Sequence, residues 1–247
     1  MKKSGYTVAE AIITMAIIGV VASLTIPTFI SSYKKNTYAN TLSSAVSDFE
    51  NAMQMIMVKD GVDDLLDTKA WNAIKSGTSY SLSNQTADGT IDKFKINISK
   101  TLPIDSYDKT LIKYSPLSNP NAAANLTYGN PVRLKTKKGI DYMIEVTNAS
   151  KANAKKEIEI MTAGYNYQNR AGFLCIDVNG AKEPNIQGRD WFRFELGTDG
   201  KLYPYGGKDC SLYRGEGYAS PKAQCVTNKD GHYCAAYLME NGYKMDY

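Results

Sequence analysis

Residues Ala11 to Ile26 contain no charged side chain, and the apolar run continues through Pro27 into Phe29 and Ile30. Tyr6 to Ile30 is 25 residues, enough to cross a hydrocarbon core once at about 1.5 Å per residue. A cleavable secretory signal would close on a small-x-small site after its apolar run. Here Ser23-Leu24-Thr25-Ile26-Pro27 carry the run onward instead. Lys2 and Lys3 precede it and Lys34 and Lys35 follow it, so charge orients the segment only weakly. Glu10 does not suit a plain anchor. An acid at the centre of a membrane segment costs on the order of 2.5–3.5 kcal/mol, and less near the interface. Such a residue is expected to meet a partner supplied by another chain, and a free amine would serve. Glu10 lies one helical turn after Tyr6, so a cut between Gly5 and Tyr6 would create an amine beside it.

Lys2-Lys3-Ser4-Gly5 followed by Tyr6-Thr7-Val8-Ala9-Glu10 resembles the class III signal of type IV pilins and type II secretion pseudopilins. The resemblance implies cleavage after Gly5 by a prepilin peptidase and N-methylation of Tyr6, where the family usually carries Phe. It also implies that Glu10 neutralises the N-terminal amine of a neighbouring subunit. Gly19 and Pro27 fall where the family has helix-weakening residues, in a segment that melts as subunits pack. The implied partners are the peptidase, other pilin or pseudopilin subunits, an inner-membrane assembly platform and the lipid bilayer. The implied location is the bacterial inner membrane, with the head in the periplasm, and then a periplasmic or extracellular filament. The match is specific over residues 1–35 and looser beyond.

After Lys35, Tyr38, Leu42, Ala45, Val46, Phe49, Met53, Ile56 and Met57 keep helical spacing against a polar opposite face. The simplest reading is one helix from Thr7 to Val58, apolar all round in its first half and amphipathic in its second. The stripe Met53, Met55, Met57 reads as core. A short helix is expected over Asp63–Lys75, then loops to Asn130 with a helical turn near Lys109–Tyr114. Strands are expected at Val132–Lys135, Ile140–Val146, Glu157–Met161, Gly172–Val178, Trp191–Leu196 and Lys201–Tyr203. Thr198-Asp199-Gly200 supplies a hairpin turn between the last two. Cys234–Asn241 reads as a short helix stopped by Gly242. The predicted fold is α+β and pilin-like, a long N-terminal helix packed on an antiparallel sheet. It divides into a leader (1–5), an assembly helix (6–30), its amphipathic continuation (31–58) and a head (59–247).

Four cysteines, Cys175, Cys210, Cys225 and Cys234, lie in the last third and form no C-x-x-C. Behind an export-type N-terminus they read as two disulfides in any of three pairings. Asp177, Asn179, Asn185 and Asp190 place oxygen donors in a glycine-containing loop that resembles one common in pilin-like heads, and they could hold calcium. An EF-hand is excluded, because the twelfth position from Asp177 is Gly188 and not Glu. The stronger reading of the loop is an Asx-rich turn bonded to its own backbone.

The net charge of +4 is dispersed, with no basic block to mark a nucleic-acid partner. His232 is the only histidine, which removes most metal and acid–base constellations. It reads as a satisfied loop residue, and no nucleophile–base set is visible, so an enzyme is not expected. Four N-x-S/T sites, starting at Asn84, Asn97, Asn125 and Asn148, read as surface polarity. Two functions remain: a filament subunit, and a membrane-tethered extracytoplasmic binding module that does not polymerise.

Overall fold

The computed structural model describes residue 5 and residues 7–71, 95–108, 113–122, 132–146, 170–180, 182–183, 185–208, 220–228 and 230–247. The chain divides into two compact units, Met1–Thr37 and Tyr38–Tyr247. Helix α1, Val8–Asp60, runs through the first unit and into the second. It ends where Gly61 takes φ of 67°, a left-handed conformation suited to a residue without a Cβ.

In the first unit Val8, Ile12, Ile13, Met15, Ile17, Ile18, Val20, Leu24 and Phe29 are all exposed. Among the described residues α1 is the one helix long and apolar enough to cross a membrane, and its most apolar 18 residues are not buried at all. An apolar surface on every side of a helix is stable in lipid and costly in water.

The second unit is α+β. Six strands form one antiparallel sheet in chain order: β1 (Ile104–Asp108), β2 (Val132–Thr136), β3 (Asp141–Val146), β4 (Arg170–Asp177), β5 (Trp191–Gly197) and β6 (Leu202–Pro204). Leu42, Ala45, Phe49, Met53 and Ile56 of α1 share a core with Leu134, Tyr142, Ile144, Leu174, Ile176, Phe192, Phe194 and Leu196 of the sheet. Phe49 stacks on Tyr142 at 5.3 Å, and the Tyr142 hydroxyl donates to the Ala45 carbonyl at 3.0 Å. Glu50 accepts from the Leu202 backbone N–H at 2.8 Å, which joins the helix to the edge strand. The cross-strand pairs Leu174↔Phe194 and Ile176↔Phe192 face this core, while Cys175↔Arg193 and Asp177↔Trp191 face the other side. There Tyr114, Met143, Cys175 and Trp191 form a second buried cluster.

Several expectations need correction. Met55 is 49% exposed, because a residue two places from Met53 on a helix points well away from it. Of the short helix expected over Asp63–Lys75, Lys69, Ala70 and Trp71 are helical and residues 72–75 lie outside the described residues, whereas Leu65–Asp67 is a 3-10 turn, with the Asp64 side chain accepting from the Leu66 N–H at 2.8 Å. Strand β1 replaces the loop that the sequence predicts there, and a bulge between Ile104 and Ser106 breaks its alternation. Tyr114 lies in an extended segment bridged to the sheet side of the molecule, not in a helical turn. The expected strand at Glu157–Met161 lies outside the described residues. The tail helix α2, Cys234–Glu240, ends one residue earlier than expected, with Asn241 as its cap.

Candidate functional site

The N-terminal unit carries the first candidate site. Thr7 donates to Glu10 Oε2 twice, from its backbone N–H at 2.8 Å and from Oγ1 at 2.9 Å. The Glu10 N–H donates back to Thr7 Oγ1 at 3.3 Å. This reciprocal pair is a capping box, which satisfies donors at the helix start that have no partner within the helix. Its signature, T-x-x-E ahead of an apolar run, stands in the sequence as Thr7-Val8-Ala9-Glu10. A sequence argument that looked only for a basic partner passes over it. Gly5 is exposed and lies just ahead of this cap, whereas Tyr6 is outside the described residues.

Gly19 and Pro27 both sit inside an unbroken α1. A Cβ at Gly19 would meet nothing within 4 Å, so nothing in the isolated chain requires glycine there. Pro27 removes one helical hydrogen bond. Nearby, Ser23, Thr25 and Thr28 turn their hydroxyls back onto the carbonyls of Val20, Val21 and Thr25. Such back-bonding weakens and bends helices.

The second candidate site, in the other unit, is the loop from Asp177 to Asp190. Its neck is closed by the Val178 N–H donating to the Asp190 carbonyl at 2.8 Å. Asp177 Oδ1 accepts from the Asn179 N–H at 3.2 Å, the expected Asx turn. The Asn179 amide donates to the Lys182 carbonyl at 3.0 Å and to the Tyr38 hydroxyl at 3.5 Å. At the far end, Asp190 Oδ1 accepts from the Ile186 N–H at 2.6 Å. The Ser115 N–H donates to the Asn185 carbonyl, and Ser115 accepts from the Gln187 N–H. Backbone bonds therefore hold all four predicted oxygen-bearing residues in one closed loop.

Both loop carboxyls are fully buried. Burial pushes Asp177 up to about 8, aided by the charges of Asp190 and Asp141, against hydrogen bonds from Asn179 and Tyr114. Burial likewise raises Asp190 to about 6, opposed by the Ile186 N–H and Arg189. Asp141 is held by Arg133 Nε at 2.6 Å. Tyr114, whose hydroxyl donates to Asp177 Oδ2 at 3.2 Å, and Tyr247, whose hydroxyl donates to the Gly188 carbonyl at 2.6 Å, complete the surroundings. Neither was singled out from sequence, because both arrive from distant parts of the chain. Among the described residues no group of three or more His, Cys, Asp or Glu could hold a metal. Any cation here would rest on two carboxyls and two amides.

Behind the loop, Gly231 has φ of 88°, and a Cβ there would clash with the Gln187 carbonyl. Cys225 is bonded to Cys234, which contributes about 2–3 kcal/mol for a loop of this length. Cys175 is buried in β4, and Cys210 lies outside the described residues. His232 is mostly buried against Tyr205, its ring 6.2 Å away, and burial lowers its pKa from 6.5 to about 4. The neutral ring is thus favoured in the fold. Its stabilising effect is present above about pH 6.5 and is lost as pH falls towards 4. Acid unfolding curves are expected to show up to about 3 kcal/mol of this loss, and His232→Gln should remove it. Identical pH profiles for the two proteins would contradict the assignment.

Searches against protein-family models, curated proteins and solved structures find no match to this chain.

Proposed function

We propose that this chain is a structural subunit, a prepilin or pseudopilin, of a type IV pilus or type II secretion-type filament. In this reading it is inserted in the inner membrane through residues 6–30, cleaved after Gly5 and N-methylated at Tyr6. It then assembles through the same helix, with its head outside the cytoplasm.

The observation that carries the proposal is the apolar helix that starts at a capped glutamate. Over residues 8–30 its apolar side chains are exposed all round, the only carboxylate of that stretch is Glu10 at the first turn, and Gly5 lies just ahead. A helix of this kind needs an apolar environment throughout its length. Lipid supplies it before assembly, and neighbouring copies of the helix supply it afterwards. The coarse layout of the second unit, an amphipathic helix packed on an antiparallel sheet, suits a head carried on such a helix.

Filament chemistry also gives Glu10 a task that an anchor does not. Both bonds from Thr7 fall on one oxygen, Oε2. The capping bonds and a charge contact to a neighbour's amine can therefore coexist on one carboxylate. A non-polymerising binding module would use the helix only as an anchor and the acid only as its cap. Cross-linking in intact cells separates the two readings. A filament subunit is expected to give a ladder of multimers linked through the 6–30 helix. Monomers alone, with the protein present at normal levels, would favour the tethered module.

A further inference from the structure

We propose that the end of the head where α1 enters it is a docking surface for an anionic phospholipid bilayer, with Lys137, Lys138 and Lys182 as its contact residues. Two turns build this end. The β2–β3 turn carries Lys137 and Lys138, the loop after β4 carries Lys182, and all three are exposed. The turns lie against each other, since a Cβ on Gly180 would stand 3.0 Å from the Gly139 carbonyl. Lys182 is tied into the same corner, its carbonyl accepting from the Asn179 amide at 3.0 Å. Three ammonium groups on long, adaptable stems thus share one face.

The acids nearby are few or withdrawn. Asp48 pairs with Lys138 at 2.6 Å, in an exposed contact that is worth little in water. Glu183 is exposed beside Lys182. Asp141 is buried and held by the Arg133 guanidinium, and Asp177 and Asp190 are buried beneath the turns. The opposite end of the sheet has the other sign among the described residues. There the Leu65 N–H donates to the Thr198 carbonyl at 2.7 Å and brings Asp63, Asp64 and Asp67 beside Asp199. Asp60 pairs with Lys69 at 3.3 Å, which leaves Lys59 and Lys201 against those four acids. The head is therefore polarised, basic where α1 enters and acidic at the far end. A body tethered at its basic end turns that end toward a negative surface.

Chain length brings such a surface within reach. Tyr38, the first residue of the second unit, follows Ile30, the last of the apolar run, by eight residues. At about 1.5 Å per residue the helix covers about 12 Å between them, whatever the angle between the two units. The Asn179 amide meets the Tyr38 hydroxyl at 3.5 Å, so the lysine-bearing loop starts at that residue. Charges at this range lie within about one screening length of the headgroups, roughly 8–10 Å in physiological salt, once the lysine stems extend. Lys34 and Lys35, which precede Tyr38, carry the same sign. A second copy of the chain offers its acidic end to the same lysines, but the tether holds only the bilayer this close before assembly. The inference rests on residues 8–30 lying in lipid and not on polymerisation.

The test uses the full-length chain, one copy per lipid nanodisc, with lysine acetylation by a water-soluble reagent read by mass spectrometry. In discs of phosphatidylglycerol and phosphatidylcholine, Lys137, Lys138 and Lys182 should react about threefold or more slowly than in discs of phosphatidylcholine alone. High salt should remove the difference. Lys59 and Lys201, at the far end, should react alike in both. Lys137→Glu combined with Lys182→Glu, at exposed turn positions that leave the core untouched, should abolish the slowing at Lys138. Equal rates in the two discs, equal slowing at Lys201, or slowing that needs two copies per disc would overturn the surface. A chain that does not enter the discs at all would overturn the anchoring helix with it.

Discussion

Glu10→Gln is expected to block filament incorporation as completely as Glu10→Ala, with cleavage after Gly5 left intact in both. Glutamine is nearly the same size and can still accept the Thr7 bonds at 2.8 and 2.9 Å, because the capping box accepts Gln at this position. What glutamine lacks is charge. If Glu10 serves only to start the helix, the glutamine variant should assemble normally and only the alanine variant should suffer. If it pairs with a neighbour's amine inside the apolar bundle, both variants leave that amine buried and unpaired. Leaving one charge of a buried pair alone costs about 3–5 kcal/mol, which corresponds to about a hundredfold or more in incorporation. Filament yield relative to subunit level in the membrane measures this directly. Wild-type yield from Glu10→Gln would reduce Glu10 to a cap.

The second large effect is expected in the head. Phe49 has no exposed surface and meets Tyr142 at 5.3 Å in the centre of the contact between helix and sheet. Phe49→Ala removes that ring from a packed interior and should cost about 3–5 kcal/mol in denaturant unfolding. Met55→Ala, on the same helix but 49% exposed, should change stability by no more than about 0.5 kcal/mol. Equal effects from the two would mean that the buried stripe does not hold helix to sheet.

These two residues also show what was legible in the sequence. The helix could be read from end to end because its signals are local: an uncharged run, then apolar residues every three or four positions. Five strands, β2 to β6, and the Asp199-Gly200 hairpin were legible for the same reason, with Gly200 taking φ of 76° in the turn. Strand β1 was not, since its bulge at Ile104/Ser106 shifts the alternation by one residue and erases the period-two pattern. The error at Met55 arose from treating three alternating methionines as one face when a helix spreads them around its axis.

The candidate sites divide along the same line. Glu10 stands out by chemistry alone, whereas the cap formed by Thr7 three residues before it shows only when the T-x-x-E spacing is read as well. The four oxygen-bearing residues of the loop could be named from spacing. Their surroundings could not, because Tyr38, Tyr114 and Tyr247 reach the loop by folding and not by sequence proximity. The Cys225–Cys234 bridge is one of several pairings that four cysteines permit, and only the packing of α2 against the preceding turn selects it.

The processing of the N-terminus is the most direct test of the filament account. Intact-mass analysis and N-terminal sequencing of the protein from its native cells should find residues 1–5 removed and Tyr6 first, carrying an N-methyl group. A chain that still begins at Met1, in cells whose prepilin peptidase is active, would contradict it.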